Sequence, residues 1–362
     1  MRSVYVMGTF SSGKTAICAA LAMQLKDENK RVAYFKPVWS PVAAANREDD
    51  DALLMRSLLG LGCTTQDISL YATSPYYLTR YEKSDECIQR VLDTHRRMCA
   101  TCDVVIVEGT ASPHVMSALG MDAMSLAGKL GTPALLVNKV ENDYSLDDIL
   151  LFCDSLKFRG VELIGVIMNN VPRQIHDKCE GLYRPILEQR GYPVLGVIPK
   201  CLEITAPTVR EFRDVLDAEV LTGENRLDNL VEDVQIGAMT LESALRYMRR
   251  ATNKAVITGG DRSDLCLAAL ETNTSALILT GGLYPNVRVI ARAEEKGVPV
   301  LLVRYDTYST VQRLHEVSRK LAAGDTEGLE LVRRGFNDYV DWPRLRAGLE
   351  EPAHAEPDQS EV

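Results

Sequence analysis

Near its N-terminus the chain carries eight residues with the spacing of a phosphate-binding loop. They run Gly8-Thr9-Phe10-Ser11-Ser12-Gly13-Lys14-Thr15, after the strand-like run Val4–Met7 and before Ile17, Leu21 and Leu25 at helical spacing. The two glycines let the backbone turn so that successive N–H groups point inward, and the helix N-terminus adds partial positive charge. A plain Gly-Ser turn is the alternative. The strand before the loop and the helix after it favour a parallel α/β sheet with a phosphate site.

Two side chains of the loop suit a magnesium–nucleotide. The Lys14 ammonium would lie on the β and γ phosphates, and the Thr15 hydroxyl would complete the coordination of Mg²⁺. The expected nucleotide contacts in this loop are Gly8, Ser11, Ser12, Gly13, Lys14 and Thr15.

Two acidic residues are candidate magnesium ligands. Glu108 ends the apolar run Val104–Val107, so it should lie at the carboxyl edge of the sheet, beside the phosphate loop. Asp51 closes the run Asp49-Asp50-Asp51, which is equally typical of a helix N-terminus because carboxylates favour that end of the helix dipole. For Glu108 the alternative is a solvated acid at a strand end.

Lys36 is the second candidate cation for the phosphates. It follows the run Arg31–Phe35 and precedes Pro37, which we expect to end the second strand and to turn the ammonium toward the phosphates. Position alone would also fit a solvated lysine at the end of a strand. Lys14 and Lys36 together are the predicted catalytic residues.

Short β-branched runs alternate with helix-period segments from residue 3 to about residue 200. This alternation predicts an α/β fold, with a P-loop parallel sheet covered by helices on both faces. The predicted strands are Val4–Met7, Arg31–Phe35, Val104–Val107, Pro133–Asn138, Leu163–Met168 and Val194–Ile198. Later helices are predicted at Asp147–Leu156 and His176–Gln189.

The alternating pattern breaks at about residues 199–230, where prolines and glycine lie among charged residues, and this break predicts a joint between domains. A smaller α/β unit follows, with its elements predicted at Ala255–Thr258, Ser263–Glu271, Ala276–Thr280, Val287–Lys296, Val298–Val303 and Ser309–Ala322. We expect a nucleotide-binding domain at 1–212, a second domain at 213–325, and a C-terminal segment at 326–362 whose acidic end is disordered.

The net charge limits the classes of partner that the chain can bind, and the number and spacing of its cysteines indicate the cellular compartment. The net charge of −9, of which residues 349–362 contribute −5, argues against a nucleic-acid or anionic-membrane partner, because each requires a basic face. No signal peptide or membrane span is visible, and nine irregularly spaced cysteines fit a reducing cytoplasm. Cys99 and Cys102 form a lone CxxC, for which ordinary thiols are favoured over a redox role.

Several short motifs accompany the phosphate loop: Lys36-Pro37-Val38, Asp51-Ala52-Leu53, Val107-Glu108-Gly109, Val166-Ile167-Met168-Asn169 and Leu195-Gly196-Val197-Ile198-Pro199. Through them roughly the first 200 residues resemble the dethiobiotin synthetase family of P-loop enzymes. The resemblance implies that Lys14 and Lys36 contact phosphates and that Thr15, Asp51 and Glu108 hold Mg²⁺. It also implies that Asn169 touches the adenine edge of ATP, and that the chain forms a homo-oligomer.

The second half carries Thr258-Gly259-Gly260, Asp261-Arg262 and Thr280-Gly281-Gly282. Through these residues it is similar to the DRTGG domain, which implies a ligand-sensing module. Exposed N–H groups there would suit an anionic effector, whereas buried turns that need small residues would explain the glycines equally well. A synthetase-like half followed by such a domain resembles the regulatory, non-catalytic N-terminal part of long phosphotransacetylases. The chain ends where their acyltransferase domain would begin, so we do not predict acetyl transfer.

The chain also departs from the synthetase pattern. Its phosphate loop is one residue shorter than the family's and lacks the acidic residue found there. The bulk of Gly109-Thr110-Ala111-Ser112-Pro113-His114 should fill the space where the family has a glycine-rich substrate loop. Asn138-Lys139-Val140-Glu141 is similar to the guanine-reading motif of GTPases, with Glu141 in place of aspartate. A charged turn after a strand is the favoured explanation, but the motif leaves GTP as an alternative to ATP for the bound nucleotide.

Two functions remain. One is a regulatory module that binds or slowly hydrolyses a nucleotide in its first domain and senses a small-molecule effector in its second. The other is an ATP-dependent ligase that activates a small carboxylate or carbamate, with Lys14, Lys36 and Mg²⁺ stabilising the transferred phosphoryl group. The two-domain arrangement and the altered substrate loop favour regulation. The intact phosphate machinery favours a ligase.

Overall fold

A computed structural model describes residues 3–40, 48–74, 76–79, 84–314, 317 and 321–350, and the structural statements below refer to these. The acidic end that we expect to be disordered lies, from residue 351 on, outside the described residues. None of the helices in the described ranges has the length and apolar character required to cross a membrane.

Twelve strands form two sheets within the described part of the chain. They are β1 Ser3–Met7, β2 Val32–Trp39, β3 Ser69–Ala72, β4 Val104–Glu108, β5 Ala134–Lys139, β6 Leu163–Val171, β7 Val194–Pro199, β8 Glu219–Thr222, β9 Asp233–Ile236, β10 Lys254–Gly259, β11 Thr274–Thr280 and β12 Val300–Leu302.

Sixteen α-helices accompany them in the same described ranges. They are α1 Lys14–Asp27, α2 Asp50–Leu59, α3 Thr65–Ile68, α4 Ser84–Thr101, α5 Ala123–Leu130, α6 Asp143–Phe158, α7 Arg173–Lys178, α8 Arg184–Gln189, α9 Leu202–Thr205, α10 Val209–Leu216, α11 Leu241–Met248, α12 Ser263–Leu270, α13 Val287–Lys296, α14 Thr307–Leu314, α15 Thr326–Tyr339 and α16 Trp342–Glu350. A π-helical turn, Cys179–Tyr183, joins α7 to α8.

The first sheet has seven parallel strands in the order β3-β2-β4-β1-β5-β6-β7. Its central strands are buried on both faces, as continuous β-branched runs require. Tyr5 and Met7 pack into a core with α4, α5 and α6, whereas Val4 and Val6 point to the opposite face, where α1 lies against β1 and β4. The predicted α/β fold, a parallel P-loop sheet with helices on both faces, is therefore confirmed.

The expected end of the second strand at Pro37 is wrong. β2 continues through Pro37 to Trp39 because it changes neighbour there. Its pairing with β4 ends at Phe35 opposite Val107, and its pairing with β3 begins at Lys36 opposite Ser69. A proline lacks only one N–H donor, so it is tolerated where one side of the ladder has ended. Lys36 consequently lies within a strand and not at its end.

The C-terminal helices belong to the first compact unit, which comprises Met1–Lys200 and Leu321–Val362. α15 packs along α1, and α15 and α16 both contact β7. The backbone of Asp341 donates to the carbonyl of Leu195 at 2.8 Å, and Val340 forms an antiparallel bridge with Gly196, so this segment covers the outer edge of the sheet. An open strand edge would otherwise offer unpaired hydrogen-bonding groups.

The second unit, Cys201–Lys320, has a five-stranded sheet in the order β8-β12-β11-β10-β9. β8 is antiparallel to β12, and the remaining pairs are parallel. The smaller α/β unit predicted from the sequence is therefore present. Two of its strands, β8 and β9, and the helices α10 and α11 lie outside the predicted elements.

Regular elements occupy residues 199–230, the stretch that we predicted as the joint between domains. This stretch contains α9, α10 and β8. Val209, Phe212 and Leu216 form the buried stripe of α10, and a capping box between Thr208 and Glu211 begins that helix. The compact units divide at residue 200, inside this predicted joint, whereas we placed the boundary at 212. Of the C-terminal segment predicted from residue 326 on, α15 and α16 pack on the first unit.

Candidate functional site

The phosphate loop joins β1 to α1 at the carboxyl edge of the first sheet. Gly13 is left-handed with φ +83°, a conformation that suits glycine. A Cβ on Gly8 would lie 1.6 Å from the carbonyl oxygen of Val137, so the loop passes directly against β5. The N–H groups in the first turn of α1 have no helical acceptors, and an anion would satisfy them.

Lys14 lies buried over this loop. Its ammonium donates to the carbonyls of Thr9 at 2.8 Å and Gly8 at 3.2 Å, and to that of Ala111 at 3.3 Å. Burial lowers the pKa of Lys14 to about 8, although Glu108 opposes that shift. Carbonyl oxygens only partly compensate a buried ammonium, so this position favours an added anion. The contact with Ala111 also places the segment expected to fill the substrate space directly beside Lys14.

Thr15 and Glu108 meet as the sequence predicts. Thr15 donates to Oε1 of Glu108 at 2.9 Å, since Val6 of β1 pairs with Glu108 of β4 and brings both residues to one edge. The second oxygen, Oε2, accepts a 2.8 Å hydrogen bond from the buried hydroxyl of Tyr34. Burial, followed by the nearby Glu108, raises the pKa of Tyr34 well above its usual value, so this phenol stays a donor.

Lys36 lies among three carboxylates. Its ammonium contacts Asp51, lies 3.3 Å from Oε1 of Glu108 and lies 3.7 Å from Oδ1 of Asp49. Burial opposes the charge on this lysine, but Glu108, Asp51 and Asp49 hold the pKa of Lys36 well above its ordinary value. Lys36 is therefore not a solvated lysine, and it remains an ammonium.

Asp49 and Tyr34 were missed in the sequence analysis. Asp49 is the N-cap of α2 and accepts from the backbone of Asp51 at 3.2 Å and from the Ser69 hydroxyl at 2.6 Å. The two interpretations of the acidic run are therefore compatible, because Asp49 caps the helix while Asp51 contacts Lys36. The acidic run itself was the available signal for Asp49. Tyr34 sits inside an apolar strand, where a tyrosine is ordinary, so nothing marked it.

Asn169 contacts the phosphate loop. Its side-chain amide donates to the carbonyl of Ser12 at 2.8 Å, and Asn170 donates to Ser11 at 3.4 Å. Two other buried polar groups near the loop have no hydrogen-bond partner, namely the Ser12 hydroxyl and the side-chain amide of Asn138. Buried polar groups are normally hydrogen-bonded, so this edge of the sheet has unused polar capacity.

The guanine-reading motif has a local explanation. Glu141 forms a 2.6 Å ion pair with Lys139 and its backbone donates to Ser145, while Asn142 caps α6. Asn138 pairs with Met168 in the sheet and so shares its face, away from α1. These contacts are those of a charged turn that begins a helix.

The residues present fit a magnesium–nucleotide. A hydroxyl and carboxylates offer the hard oxygen ligands that Mg²⁺ prefers, and the buried ammonium groups of Lys14 and Lys36 are suited to neutralise phosphate charge. Mg²⁺ usually takes one or two carboxylates and completes its shell with water and phosphate oxygens. Accordingly, in the described part of the chain, no group of three or more His, Cys, Asp and Glu side chains is arranged to hold a metal by itself.

The Thr-Gly-Gly turns of the second unit are tightly built. A Cβ on Gly260 would lie 1.7 Å from the carbonyl oxygen of Leu283. The hydroxyl of Thr258 donates to Gly237 at 3.2 Å, and that of Thr280 lies 3.0 Å from the hydroxyl of Thr307. These contacts agree with the packing explanation of the glycines.

Arg262 has its polar partners at the start of α12 and in the segment before α11. Its guanidinium forms a 3.1 Å ion pair with Asp264, and it donates to the carbonyl of Met239 at 3.4 Å.

Comparison with known proteins agrees with the two-part organisation. A family profile described as "AAA domain" matches residues 2–208, and one described as "DRTGG domain" matches residues 211–317. Phosphate acetyltransferase of Nitratidesulfovibrio vulgaris is 27% identical over 96% of this chain and 51% of its own length. The enzyme of the same name from Synechocystis is 26% identical over 95% of this chain and 51% of its own.

Among solved structures, the septum site-determining protein MinD of Pyrococcus horikoshii, complexed with Mg-ADP, matches at 17% identity and a TM-score of 0.36. The match covers 56% of this chain and 83% of that one. The chain spans about half the length of the curated relatives that it matches. On the match over residues 2–208, the chain belongs to the AAA domain family, with a DRTGG domain following in the same chain.

Proposed function

We propose that this chain binds a magnesium–nucleoside triphosphate, ATP in preference to GTP, at the carboxyl edge of its first sheet. The observation that carries the proposal is the junction of Thr15, Glu108 and Lys36 beside the phosphate loop. Thr15 and Glu108 would hold Mg²⁺ together with Asp51, and Lys14 and Lys36 would neutralise the phosphates. Mg²⁺ held there would supply positive charge to stabilise the phosphates.

One contact supports the choice of ATP. Glu141, the residue that would have to read guanine, is paired with Lys139 in a turn. Equal affinity of the wild-type protein for Mg-ATP and Mg-GTP would contradict this part of the proposal.

We further propose that nucleotide binding serves regulation, with the DRTGG domain as the sensor of a small effector. The contact of Lys14 with the Ala111 carbonyl supports this role, because it occupies the side of the site where a synthetase would admit its second substrate. A homo-oligomer is part of the proposal. The nine cysteines are all free thiols, which supports a reducing, cytoplasmic location.

The alternative is an ATP-dependent ligase of the dethiobiotin synthetase type. It is favoured by one specific observation, namely two buried ammonium groups at this edge of the sheet, Lys14 over the phosphate loop and Lys36 at 3.3 Å from Glu108. Phosphate release measured with and without small carboxylates and amines separates the two functions. A ligase should release almost no phosphate until its substrate is added, whereas a sensor should hydrolyse the nucleotide slowly whichever carboxylate or amine is added.

Calorimetric titration with Mg-ATP and Mg-GTP tests the central proposal. Wild-type protein should bind, and Lys14→Ala should lose binding because the loop then lacks its phosphate cation. Lys26→Ala is the matched control, since Lys26 lies in the last turn of the same helix and donates to Leu58. If wild-type protein binds neither nucleotide, nucleotide binding is excluded and the first unit is a scaffold for the second.

A further inference from the structure

The carboxylates proposed for Mg²⁺ already hold a cation of the chain itself. The Lys36 ammonium contacts Asp51 and lies 3.3 Å from Glu108, and its side chain is 8% exposed. Lys36 lies two residues after Tyr34 in β2, so both side chains project from the face of the sheet on which they meet Glu108. Glu108 and Asp49 are buried, and buried carboxylates without a cation would be costly, so this lysine neutralises the site.

The two oxygens of Glu108 have different neighbours. Oε2 is tied to the hydroxyl of Tyr34 at 2.8 Å. Oε1 faces both the Thr15 hydroxyl at 2.9 Å and the Lys36 ammonium at 3.3 Å. Oε1 is therefore the atom that a metal held by Thr15 and Glu108 would need, and the Lys36 ammonium already lies beside it.

We propose that Lys36 is a built-in competitor of the divalent cation: its ammonium occupies the Glu108–Asp51 position without nucleotide and transfers to the phosphates when Mg-nucleotide binds. The first half rests only on the contacts above. The second half rests on the nucleotide binding proposed in the preceding section.

The exchange follows from the shared position, because the ammonium and the metal would both need Oε1 of Glu108. One ammonium balances part of the negative charge of Asp49, Asp51 and Glu108, and a divalent ion brought to the same oxygens would repel it at short range. A triphosphate offers Lys36 new anionic partners and so relieves the repulsion. Metal and nucleotide should then strengthen each other's binding by the same factor, because such coupling is reciprocal.

Mn²⁺, followed by electron paramagnetic resonance without nucleotide, is the direct probe of the metal position. Wild-type protein should bind Mn²⁺ weakly, and Lys36→Met should bind it about tenfold or more tightly, since the competing charge is gone. Lys36→Arg keeps the charge and should stay weak. Lys26→Met removes an equal charge at the far end of α1 and should match wild type.

The double variant Lys36→Met/Asp51→Asn tests whether the additional Mn²⁺ affinity of Lys36→Met arises at this cluster. Its Mn²⁺ affinity should return to the weak wild-type value. The melting temperature of each variant shows whether it is folded. Lys36→Met leaves buried carboxylates without their cation, so its melting temperature should fall without metal and recover when Mn²⁺ is added, more than in wild type. Equal or weaker Mn²⁺ binding by Lys36→Met, or no recovery of the melting temperature, overturns the proposal.

These outcomes are independent of the proposed nucleotide function. If the wild-type protein binds neither Mg-ATP nor Mg-GTP while Lys36→Met gains Mn²⁺, the nucleotide proposal fails and the competition stands. If nucleotide binds and Lys36→Met gains no metal, Lys36 serves the phosphates alone.

Discussion

The side-chain amide of Asn169 donates a 2.8 Å hydrogen bond to the carbonyl oxygen of Ser12, across 157 residues of sequence. This bond links β6 to the phosphate loop, two strands away from β1 in the sheet. Its nitrogen would lie 2.4 Å from a Cβ placed on Gly13, so Asn169 and the left-handed glycine fit each other closely. Asn169 is thus placed to support the loop, whether or not it also meets a base.

Asn169→Ala separates loop support from base reading. Loss of a buried hydrogen bond should lower the free energy of unfolding by about 1–2 kcal/mol, and a loosened loop should weaken ATP and GTP alike. Base reading alone would instead weaken ATP selectively. Urea unfolding and calorimetry with both nucleotides check this, with Asn170→Ala, whose bond to Ser11 is 3.4 Å long, as the milder control.

Tyr34→Phe should destabilise the protein through Glu108. The change leaves Oε2 of a buried carboxylate without its phenolic donor, which costs about 1–3 kcal/mol in the free energy of unfolding. Tyr5→Phe, at another fully buried tyrosine on β1, serves as the control for loss of a hydroxyl. A Tyr34→Phe protein as stable as wild type in urea unfolding would show that Oε2 finds another donor.

Buried His95 should make the first unit sensitive to acid. Burial, assisted by Arg96, lowers the pKa of His95 below the value near 6.5 that it has in an unfolded chain. The neutral His95 therefore contributes its full stabilisation above about pH 6.5, and this stabilisation is lost as the pH falls through the lowered pKa of the folded state. The loss amounts to about 1.4 kcal/mol for each pH unit between the unfolded and the folded pKa.

His95→Gln should reduce the loss of stability between pH 7.5 and pH 5.5, measured by urea unfolding at both pH values. The matched control is His114→Gln, at an exposed histidine of the same unit, which should leave the pH dependence as in wild type. A His95→Gln protein with the wild-type slope would assign the acid sensitivity to other groups.

The sheet and the loop could be predicted because their signals are local. Val4–Met7 and Val104–Val107 are apolar runs next to residues with recognisable chemistry, and the predicted strands there differ from the observed ones by one residue. β3, with the sequence Ser-Leu-Tyr-Ala, is too short and too ordinary to stand out, and it exists because β2 offers it an edge. Strand pairing, not local preference, decides such elements.

The site was harder to predict for a similar reason. Thr15, Lys14 and Glu108 were found because a loop and a strand end mark them. The partnership of Lys36 with Asp49 and Asp51 depends on where β2 stops and on how α2 begins, and neither is fixed by spacing in the sequence. A proline that removes one donor was interpreted as a strand end, although the ladder had already ended on that side.

The C-terminal helix α15 should be an integral part of the first unit. Phe336 is 1% exposed and its ring centre lies 6.2 Å from that of Trp342 on α16. Around it, Arg333 pairs with Asp27 at 2.9 Å, and the Trp342 indole donates to Glu28 at 3.3 Å, so two contacts join this segment to the end of α1.

Phe336→Ala should therefore lower the free energy of unfolding of the first unit by about 3–5 kcal/mol, the usual cost of truncating a buried phenylalanine. Trp342 fluorescence during urea unfolding reports on the segment directly, and nucleotide titration reports on the loop at the other end of α1. Phe158→Ala, at a phenylalanine that is 92% exposed, should change neither. If Phe336→Ala unfolds at the wild-type urea concentration, the C-terminal helices are an appendage and α1 is stable without them.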